Sequence, residues 1–185
     1  RIGTMPVPPD VKRSVFEIMV RQVGNVTKKL CLLQPGDKIG IRGPLGNGFD
    51  MKSFEGKTLL FTSGGTGMVP MRSIINHVLD PKQRDKFKEI IILYGAKRPK
   101  EITFMDDVDR WKKIHNVQCE LTVDRCEASE CWGGCTGLIT TLFPKIQADK
   151  LDSKNTIAVV IGPPVMYKYV IKCLQTLGIP DDNIY

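Results

Sequence analysis

The sequence from Thr58 to Ile75 is TLLFTSGGTGMVPMRSII, and it decides the fold of this chain. It begins with a short apolar run of strand length, and glycines follow at positions 64, 65 and 67. From Met68 onward, apolar residues recur at helical spacing, and Pro70 is tolerated there because it lies in the first helical turn. The stretch therefore predicts a buried strand that turns through glycines into a helix.

A glycine turn between a strand and a helix is suited to binding an anion. The backbone can approach a phosphate closely, free N–H groups point at it, and the helix dipole favours negative charge. A tight turn that binds nothing is the alternative, because glycine-rich turns are common in α/β folds. The spacing of Ser63-Gly-Gly-Thr-Gly67 also differs from the G-x-G-x-x-G turn of dinucleotide-binding folds.

Composition narrows the class of protein. The chain has 185 residues, of which 42% are hydrophobic and 25% are charged, a balance typical of a globular protein with one or two domains. No apolar run approaches the roughly 20 residues that cross a bilayer, so we expect no membrane span. The six cysteines are scattered, unlike those of a small secreted disulfide scaffold, and they predict a reducing, cytoplasmic setting.

The net charge is +7, and lysines and arginines cluster at 82–88, 97–100 and 110–113. Such clusters suit a docking face for an acidic protein or a phosphate-bearing ligand, and a solvated surface is the alternative. No DNA- or RNA-binding motif accompanies the charge, so we expect no nucleic-acid partner.

Residues 1–48 have the pattern of an antiparallel β domain. Side chains alternate from Val15 to Val23, and Lys38–Arg42 is a second strand candidate. Between them lies one predicted short helix, with Thr27 as a cap. So few strands could not stand alone. We therefore expect a partial antiparallel β-barrel, completed by preceding chain or by another subunit.

Residues 49–185 follow a different pattern, in which strands and helices alternate. This alternation predicts an α/β domain with a parallel sheet and helices on both faces. Asn183–Tyr185 begins a further strand. The strand candidates are Thr58–Thr62, Glu89–Tyr94, Val117–Val123 and Thr156–Ile161, and the helix candidates are Met68–Leu79, Thr103–Lys112, Leu138–Phe143 and Val165–Leu177.

The loops that follow the predicted strands point to a nucleotide. They begin at Ser63, Gly95, Asp124 and Gly162, and each carries glycine, proline or charge. In an open parallel sheet, ligands bind beyond the carboxyl ends of the strands, where these loops should meet.

Asp124 directly follows a predicted strand. A carboxylate there can accept hydrogen bonds from the ribose hydroxyls and would repel a 2′-phosphate, which favours NADH over NADPH. A surface aspartate that caps the next segment is the alternative. Arg125 beside it either pairs with Asp124 or reaches the pyrophosphate.

Several motifs follow one another along the chain: Gly24-Asn-Val-Thr27, Arg42-Gly-Pro-Leu-Gly-Asn-Gly-Phe49, the stretch 63–73, Leu93-Tyr-Gly-Ala-Lys-Arg-Pro99 and Gly162-Pro-Pro-Val-Met166. Their order and spacing resemble the ferredoxin–NADP reductase superfamily. Within it, the chain is most similar to electron-transfer subunits that bind FAD and NAD. These are the gamma subunits of hydrogenases and sulfhydrogenases, and the corresponding electron-transfer subunits of anaerobic sulfite reductase and of dihydroorotate dehydrogenase.

The resemblance implies FAD on the barrel domain and the nicotinamide cofactor on the α/β domain. Gly24, Val26 and Thr27 match the family's Gly-x-x-Ser/Thr segment under the FAD pyrophosphate. The family's flavin-contacting Arg-x-Tyr-Ser segment falls at Arg1 to Thr4, where Gly3 replaces the usual aromatic residue.

The resemblance also implies residues for the nicotinamide cofactor. The glycine turn receives the pyrophosphate and the nicotinamide end, and the family's Cys-Gly-Pro-Pro loop lies near the nicotinamide, with Ile161 at its cysteine position. Asp124 and Arg125 fall where NADH-linked members carry an acidic residue. The implied residues are Gly64, Gly65, Thr66, Gly67, Met68, Asp124, Arg125, Gly162, Pro163, Pro164 and Met166.

Cys126, Cys131 and Cys135 have no counterpart in most relatives. Their C-x4-C-x3-C spacing is not a zinc pattern, and an iron–sulfur cluster usually takes a fourth ligand. We expect incidental thiols and no metal ligands, with a metal site, a redox pair or a subunit contact as alternatives. The related subunits carry a [2Fe-2S] cluster in a cysteine-rich C-terminal segment, which would lie beyond Tyr185 or elsewhere in a complex.

The expected function is that of a flavoprotein electron-transfer subunit. It would pass electrons between NAD(P)H and an iron–sulfur, hydrogenase or reductase partner through FAD, within a multi-subunit redox complex. Because the cofactors carry the chemistry, we expect no catalytic side chain. The alternatives are a free-standing NAD(P)H:flavin or ferredoxin reductase, and a non-catalytic scaffold subunit that binds a nucleotide.

Overall fold

The computed structural model describes residues 17–43 and 45–185, together with the backbone of residues 2–4. The strands are β1 Ile2–Thr4, β2 Ile18–Val20, β3 Thr58–Gly64, β4 Ile90–Ala96, β5 Val117–Val123, β6 Cys135–Thr136 and β7 Thr156–Ile161. The α-helices are α1 Asn25–Cys31, α2 Met68–Val78, α3 Met105–Trp111 and α4 Pro164–Thr176.

The centre of the fold is a five-stranded parallel sheet with the order β6-β5-β4-β3-β7. Its middle register places Thr62 of β3 opposite Leu93 of β4 on one side and Val160 of β7 on the other. Ile184 forms a parallel bridge to Ala158, so the predicted further strand begins beside β7. The predicted parallel sheet and each of its predicted strands are confirmed.

Helices cover both faces of this sheet, because alternate strand residues are apolar on both sides. One face packs against α2 and α3, with Phe61, Ile75 and Trp111 among the buried residues. The other face packs against α4 and a 3₁₀ helix at Ile139–Lys145, with Leu142 and Leu174 among the buried residues. The two layers fix the loops at the carboxyl edge of the sheet.

In the amino-terminal part, β1 and β2 form an antiparallel pair, with Gly3 opposite Met19. Helix α1 follows as predicted, and the hydroxyl of Thr27 accepts hydrogen bonds from the amides of Val23 and Gly24, both at 3.0 Å. Thr27 therefore caps the helix from its third residue. Gly24 itself is the N-cap residue.

The prediction of a strand at Lys38–Arg42 is wrong. This segment is irregular, and its apolar side chains Ile39 and Ile41 are 42% and 58% exposed. A strand needs a hydrogen-bonded neighbour, and none of the described strands pairs with this segment.

Smaller corrections concern the α/β part. The predicted helix at Leu138–Phe143 is a 3₁₀ helix that contains Pro144, which has no N–H to donate. Helix α3 begins later than predicted because Phe104 has a left-handed backbone, with φ at 62°. Strand β6 is only two residues long and was not predicted. Among the described residues, no helix has the length and apolarity that a bilayer crossing requires.

Candidate nucleotide-binding site

The candidate site lies where the strand order reverses. Strands β3 and β7 are neighbours in the sheet although they are far apart in the sequence. Their carboxyl ends lead into the glycine turn after Gly64 and the proline turn after Gly162. Because open α/β sheets bind ligands at such a reversal, the position agrees with the predicted nucleotide site.

Both turns touch. A β-carbon built on Gly162 would lie 3.4 Å from the backbone nitrogen of Gly64. A β-carbon built on Gly64 would lie 2.7 Å from the sulfur of Met166, which fills the space between the two turns. The structure therefore brings the predicted residues of the two turns together.

Gly67 meets the backbone of β7. A β-carbon at this position would overlap the carbonyl oxygen of Ile161 and would lie 2.8 Å from its carbonyl carbon. Glycine is required here by the close approach of two backbones, which a side-chain rotation cannot relieve.

Gly65 has a different role in the same turn. Its φ is +55°, and a β-carbon built on it would meet nothing within 4 Å. Thr66 beside it is exposed. The turn therefore leaves open space next to a backbone conformation that glycine adopts without strain.

Helix α2 begins directly after this turn. Its N-cap residue is Gly67, so no side chain caps the amides of its first turn. The amide of Met68 already donates to the carbonyl of Gly65, and Pro70 has no N–H. The 3₁₀ turn Gly65–Gly67 before the helix, rather than its own first turn, therefore offers amides to a phosphate at the positive end of the helix dipole. A pyrophosphate therefore fits the residues that are present.

Two buried hydroxyl groups lie below the turn. Thr62 and Ser63 are fully buried at the end of β3, and neither hydroxyl oxygen has a hydrogen-bond partner among the described residues. Ser63 lies opposite Tyr94 and Ile161 in the sheet. Buried polar groups are nearly always hydrogen-bonded, so unpaired hydroxyls beneath a glycine turn fit a place that takes a ligand.

Asp124 lies at the carboxyl end of β5, as predicted. Its amide donates to the carbonyl of Ala96 at 2.9 Å, which holds it next to the end of β4. Partial burial raises the pKa of its carboxyl group, and the charges of Lys97 and Arg125 oppose that rise. The carboxylate is exposed and lies in a basic surrounding, so it can accept hydrogen bonds from a ligand at this edge.

The segment that follows carries its own ion pair. Arg125 donates its amide to the carbonyl of Lys97 at 3.2 Å, which extends the contact between the loops after β4 and β5. In the same loops, Nη2 of Arg98 lies 2.6 Å from Oε1 of Glu127. The predicted meeting of these loops is confirmed.

The structure describes only some of the residues that are expected to contact FAD. Arg1 lies outside the described residues, and only the backbone of Thr4 is described, within β1. Gly24 and Thr27 begin α1, whereas the side chain of Val26 is 70% exposed. Strand β1 lies beside α2, the helix that follows the glycine turn.

The cysteines do not gather into a metal site within the described residues, where no three His, Cys, Asp or Glu side chains are arranged to hold a metal ion. The thiol of Cys126 lies 3.4 Å from the carbonyls of Glu127 and Glu130. Cys119 is buried in β5, and burial raises its pKa to about 12.

Sequence analysis missed Arg72, in the second turn of α2. Its guanidinium donates to Asp107 of α3 and to Glu17 before β2, the latter at 3.1 Å. In the sequence, the one feature that could have indicated this role is that Arg72 is charged and lies on the otherwise apolar face of a predicted helix.

Comparison with known proteins identifies the family of this chain. The family described as oxidoreductase NAD-binding domain matches residues 61–172. The gamma subunit of sulfhydrogenase 2 from Pyrococcus furiosus is 36% identical over 183 residues, which cover 94% of this chain and 62% of that protein. One subunit of the Na(+)-translocating NADH-quinone reductase from Idiomarina loihiensis is 32% identical over 164 residues, covering 87% of this chain and 39% of that protein. The chain thus spans less than two thirds of the length of these relatives.

Solved structures share the fold. The CS-b5R domains of human Ncb5or in the NAD+ form superpose with a TM-score of 0.78 at 22% identity, over 97% of this chain and 50% of that one. A ferredoxin NADP+ reductase from Neisseria gonorrhoeae with bound FAD and NADP gives a TM-score of 0.65 at 19% identity, over 92% of this chain and 71% of that one. The chain has the ferredoxin–NADP reductase-like fold and belongs to the oxidoreductase NAD-binding domain family.

Proposed function

We propose that this chain is part of a flavoprotein that passes electrons between NAD(P)H and an iron–sulfur partner through FAD. The observation that carries the proposal is the contact between the glycine turn and the proline turn at the reversal of the sheet. The family match to an oxidoreductase NAD-binding domain supports the same conclusion.

In this proposal the nicotinamide dinucleotide is held by the carboxyl edge of the sheet. The turn 64–68 binds the pyrophosphate through backbone amides, and the turn 162–164 with Met166 borders the nicotinamide. Asp124 would accept hydrogen bonds from the ribose hydroxyls, and Arg125 would pair with Asp124 or with the pyrophosphate.

FAD is proposed on the amino-terminal domain, residues 1–48, and the nucleotide on residues 49–185. Gly24, Val26 and Thr27 would bind the FAD pyrophosphate at the start of α1, and Arg1 and Thr4 would contact the flavin. The position of β1 beside α2 supports this arrangement, because it places the ribbon that carries Thr4 next to the helix of the glycine turn.

A bound flavin supplies the chemistry that the side chains lack, since it takes up electron pairs from a nicotinamide and releases electrons singly. The chain's own residues bind and orient the nucleotide. The half-buried side chain of Met166 packs between the glycine turn and the proline turn and so supports both.

The proposed setting is a multi-subunit redox complex in the cytoplasm. Support comes from the sulfhydrogenase gamma subunits, which are named as subunits of larger enzymes. The unpaired cysteines, of which Cys31 and Cys131 are exposed, suit a reducing compartment. A [2Fe-2S] cluster is proposed for a further cysteine-rich segment or a partner subunit.

The test is steady-state reduction of an artificial dye by the full-length protein with its natural ends. We expect a yellow protein that reduces the dye with NADH and, less efficiently, with NADPH. A colourless protein that reduces no dye would contradict electron transfer and favour a nucleotide-binding scaffold. If the protein without partner subunits reduces free flavin as fast as it does with them, a free-standing reductase would be favoured.

A further inference from the structure

We propose that Arg72 is a positioning residue. It holds the glycine turn 64–68, proposed to bind the nicotinamide cofactor, in place relative to the ribbon of β1 and β2, proposed to contact the flavin. The inference rests on the proposed function and deepens it. It states that a side chain outside the nucleotide site sets the position of the two cofactors relative to each other.

The contacts of Arg72 join its own helix to two other elements. Nη1 donates to Oε2 of Glu17 at 3.1 Å, and Nε donates to Oδ2 of Asp107. The guanidinium carbon also lies 4.4 Å from the centre of the Phe104 ring. One planar group thus joins the residue before β2, the helix after the glycine turn and the start of α3.

Each of these elements adjoins a segment that the proposed function uses. Helix α2 carries the glycine turn at its amino end, and Arg72 lies four residues after Met68. Phe104 and Asp107 stand where the loop after β4 enters α3. Glu17 immediately precedes β2, which pairs with β1, the strand that carries the backbone of Thr4.

Only arginine has the geometry for these contacts. Its planar fork of donors can serve two carboxylates while its face stacks on an aromatic ring, whereas lysine offers a single point charge. The Arg72 side chain is 16% exposed and that of Asp107 is 9% exposed, so this pair is largely withdrawn from water. Asp107 also accepts from Nη2 of Arg110 at 2.6 Å.

Phe104 shows why this junction needs to be held. It adopts a left-handed backbone, with φ at 62°, which is unfavourable for an aromatic residue. On one side its conformation is secured by Thr103, whose amide and hydroxyl both lie 3.1 Å from the Tyr94 hydroxyl. On the other side Arg72 covers its ring, so the entry to α3 is clamped from both directions.

The contact with Glu17 should affect the position of β2 more than the stability of the fold. The Glu17 side chain is 73% exposed, and exposed ion pairs add little to the stability of a fold. Its pairing with a largely buried arginine nevertheless fixes where β2 lies relative to α2. Small displacements between reacting groups slow a reaction strongly, so the effect should appear in rate before it appears in stability.

The experiment uses the flavin-loaded full-length protein and the variant Arg72→Gln. The single-turnover rate of flavin bleaching is measured without oxygen as a function of NADH concentration, which gives both the rate and the NADH dissociation constant. The amide hydrogen exchange of residues 17–20 is measured in parallel. We expect bleaching to slow by about tenfold, with the NADH dissociation constant changed by less than about twofold. Exchange in β2 should accelerate by no more than about threefold, the size expected for an exposed ion pair.

The matched control is Arg110→Gln, which removes a partner of Asp107 and a donor to Asn76 of α2 but no contact with Glu17, while Trp111 still donates to Asn76. It should behave like the unmodified protein in both measurements. Should Arg72→Gln lose its flavin or unfold, Glu17→Gln carries the test and should slow bleaching by about threefold, since an exposed pair is weaker.

An unchanged rate and unchanged exchange in a folded Arg72→Gln, or in Glu17→Gln when that variant carries the test, would overturn the positioning role. Equal effects of Arg72→Gln and Arg110→Gln would also overturn it. If the unmodified protein is not bleached by NADH, the proposed function fails instead, and exchange in β2 alone then decides whether Arg72 holds the ribbon.

Discussion

Gly67 lies so close to Ile161 that a β-carbon on the glycine would overlap the carbonyl oxygen of the other residue. Gly67 lies in the turn after β3 and Ile161 is the last residue of β7, so their contact joins the ends of two neighbouring strands at the proposed site. The contact is between backbones, so any side chain at position 67 would push the two strands apart.

Gly67→Ala should therefore destabilise the protein by about 1–3 kcal/mol, the usual result of overpacking a tight contact. Urea unfolding measures the change. Gly133→Ala is the matched control, because a β-carbon there meets nothing within 4 Å and its φ is ordinary. Equal stability of the two variants would show that the ends of β3 and β7 can move apart without lowering the free energy of unfolding.

Arg84 supports the opposite edge of the sheet. Its side chain is only 3% exposed and donates to the carbonyls of Phe87 at 2.7 Å, Lys88 at 2.8 Å and Asn116 at 2.9 Å. Arg84→Met should lower the free energy of unfolding by about 1–3 kcal/mol, because the buried carbonyl of Phe87 and the partly buried carbonyls of Lys88 and Asn116 lose a charged donor. The folded fraction should keep its dye reduction, since these contacts lie at the amino ends of the strands.

Lys86→Met is the control for that variant. Lys86 is 46% exposed and its pairing with Glu55 at 3.2 Å is a surface contact, so the change should stay below about 1 kcal/mol. A loss as large as that of Arg84→Met would mean that charge, and not the satisfied carbonyls, stabilises this edge.

Asp124 should set the preference between nicotinamide cofactors. Asp124→Ser removes the carboxylate that would repel a 2′-phosphate, while Lys97 and Arg125 remain beside the site. The kcat/KM for NADPH relative to NADH should rise by about tenfold, which corresponds to about 1.4 kcal/mol. Asp109→Ser, on the exposed side of α3, should leave the ratio unchanged. An unchanged ratio in Asp124→Ser would contradict the ribose contact.

The cysteines should differ in reactivity. Burial raises the pKa of Cys119 to about 12, so at pH 8 it holds almost no thiolate and is shielded from reagents. Cys31 and Cys131 are exposed. Alkylation of the folded protein at pH 8, mapped by peptide mass, should modify these two and spare Cys119 until denaturant is added. Rapid labelling of Cys119 in the folded protein would show that β5 opens readily.

Local signals were enough to predict much of this fold. The apolar run before the glycines, the helical spacing after them and the residue types at the strand ends are all readable within about ten residues. They predict β3, the turn and α2, and the position of Asp124 directly after a strand. For the same reason Thr27 could be recognised as a cap, although it acts from the third helical residue.

Contacts between distant residues could not be predicted. Arg72 and Asp107 are 35 residues apart, and nothing local marks them as partners. The segment Lys38–Arg42 has strand composition, but strand formation depends on a neighbour that the composition does not supply. The overlap of Gly67 with Ile161 likewise becomes visible only once β3 and β7 are known to be adjacent.

The central claim is that this chain places a nicotinamide next to a flavin. The most direct measurement is to mix the flavin-loaded full-length protein with NADH without oxygen and to follow the visible absorbance of the flavin. The account predicts bleaching in a single turnover, at a rate that saturates with NADH concentration. A flavin that stays oxidised in the presence of excess NADH would contradict it.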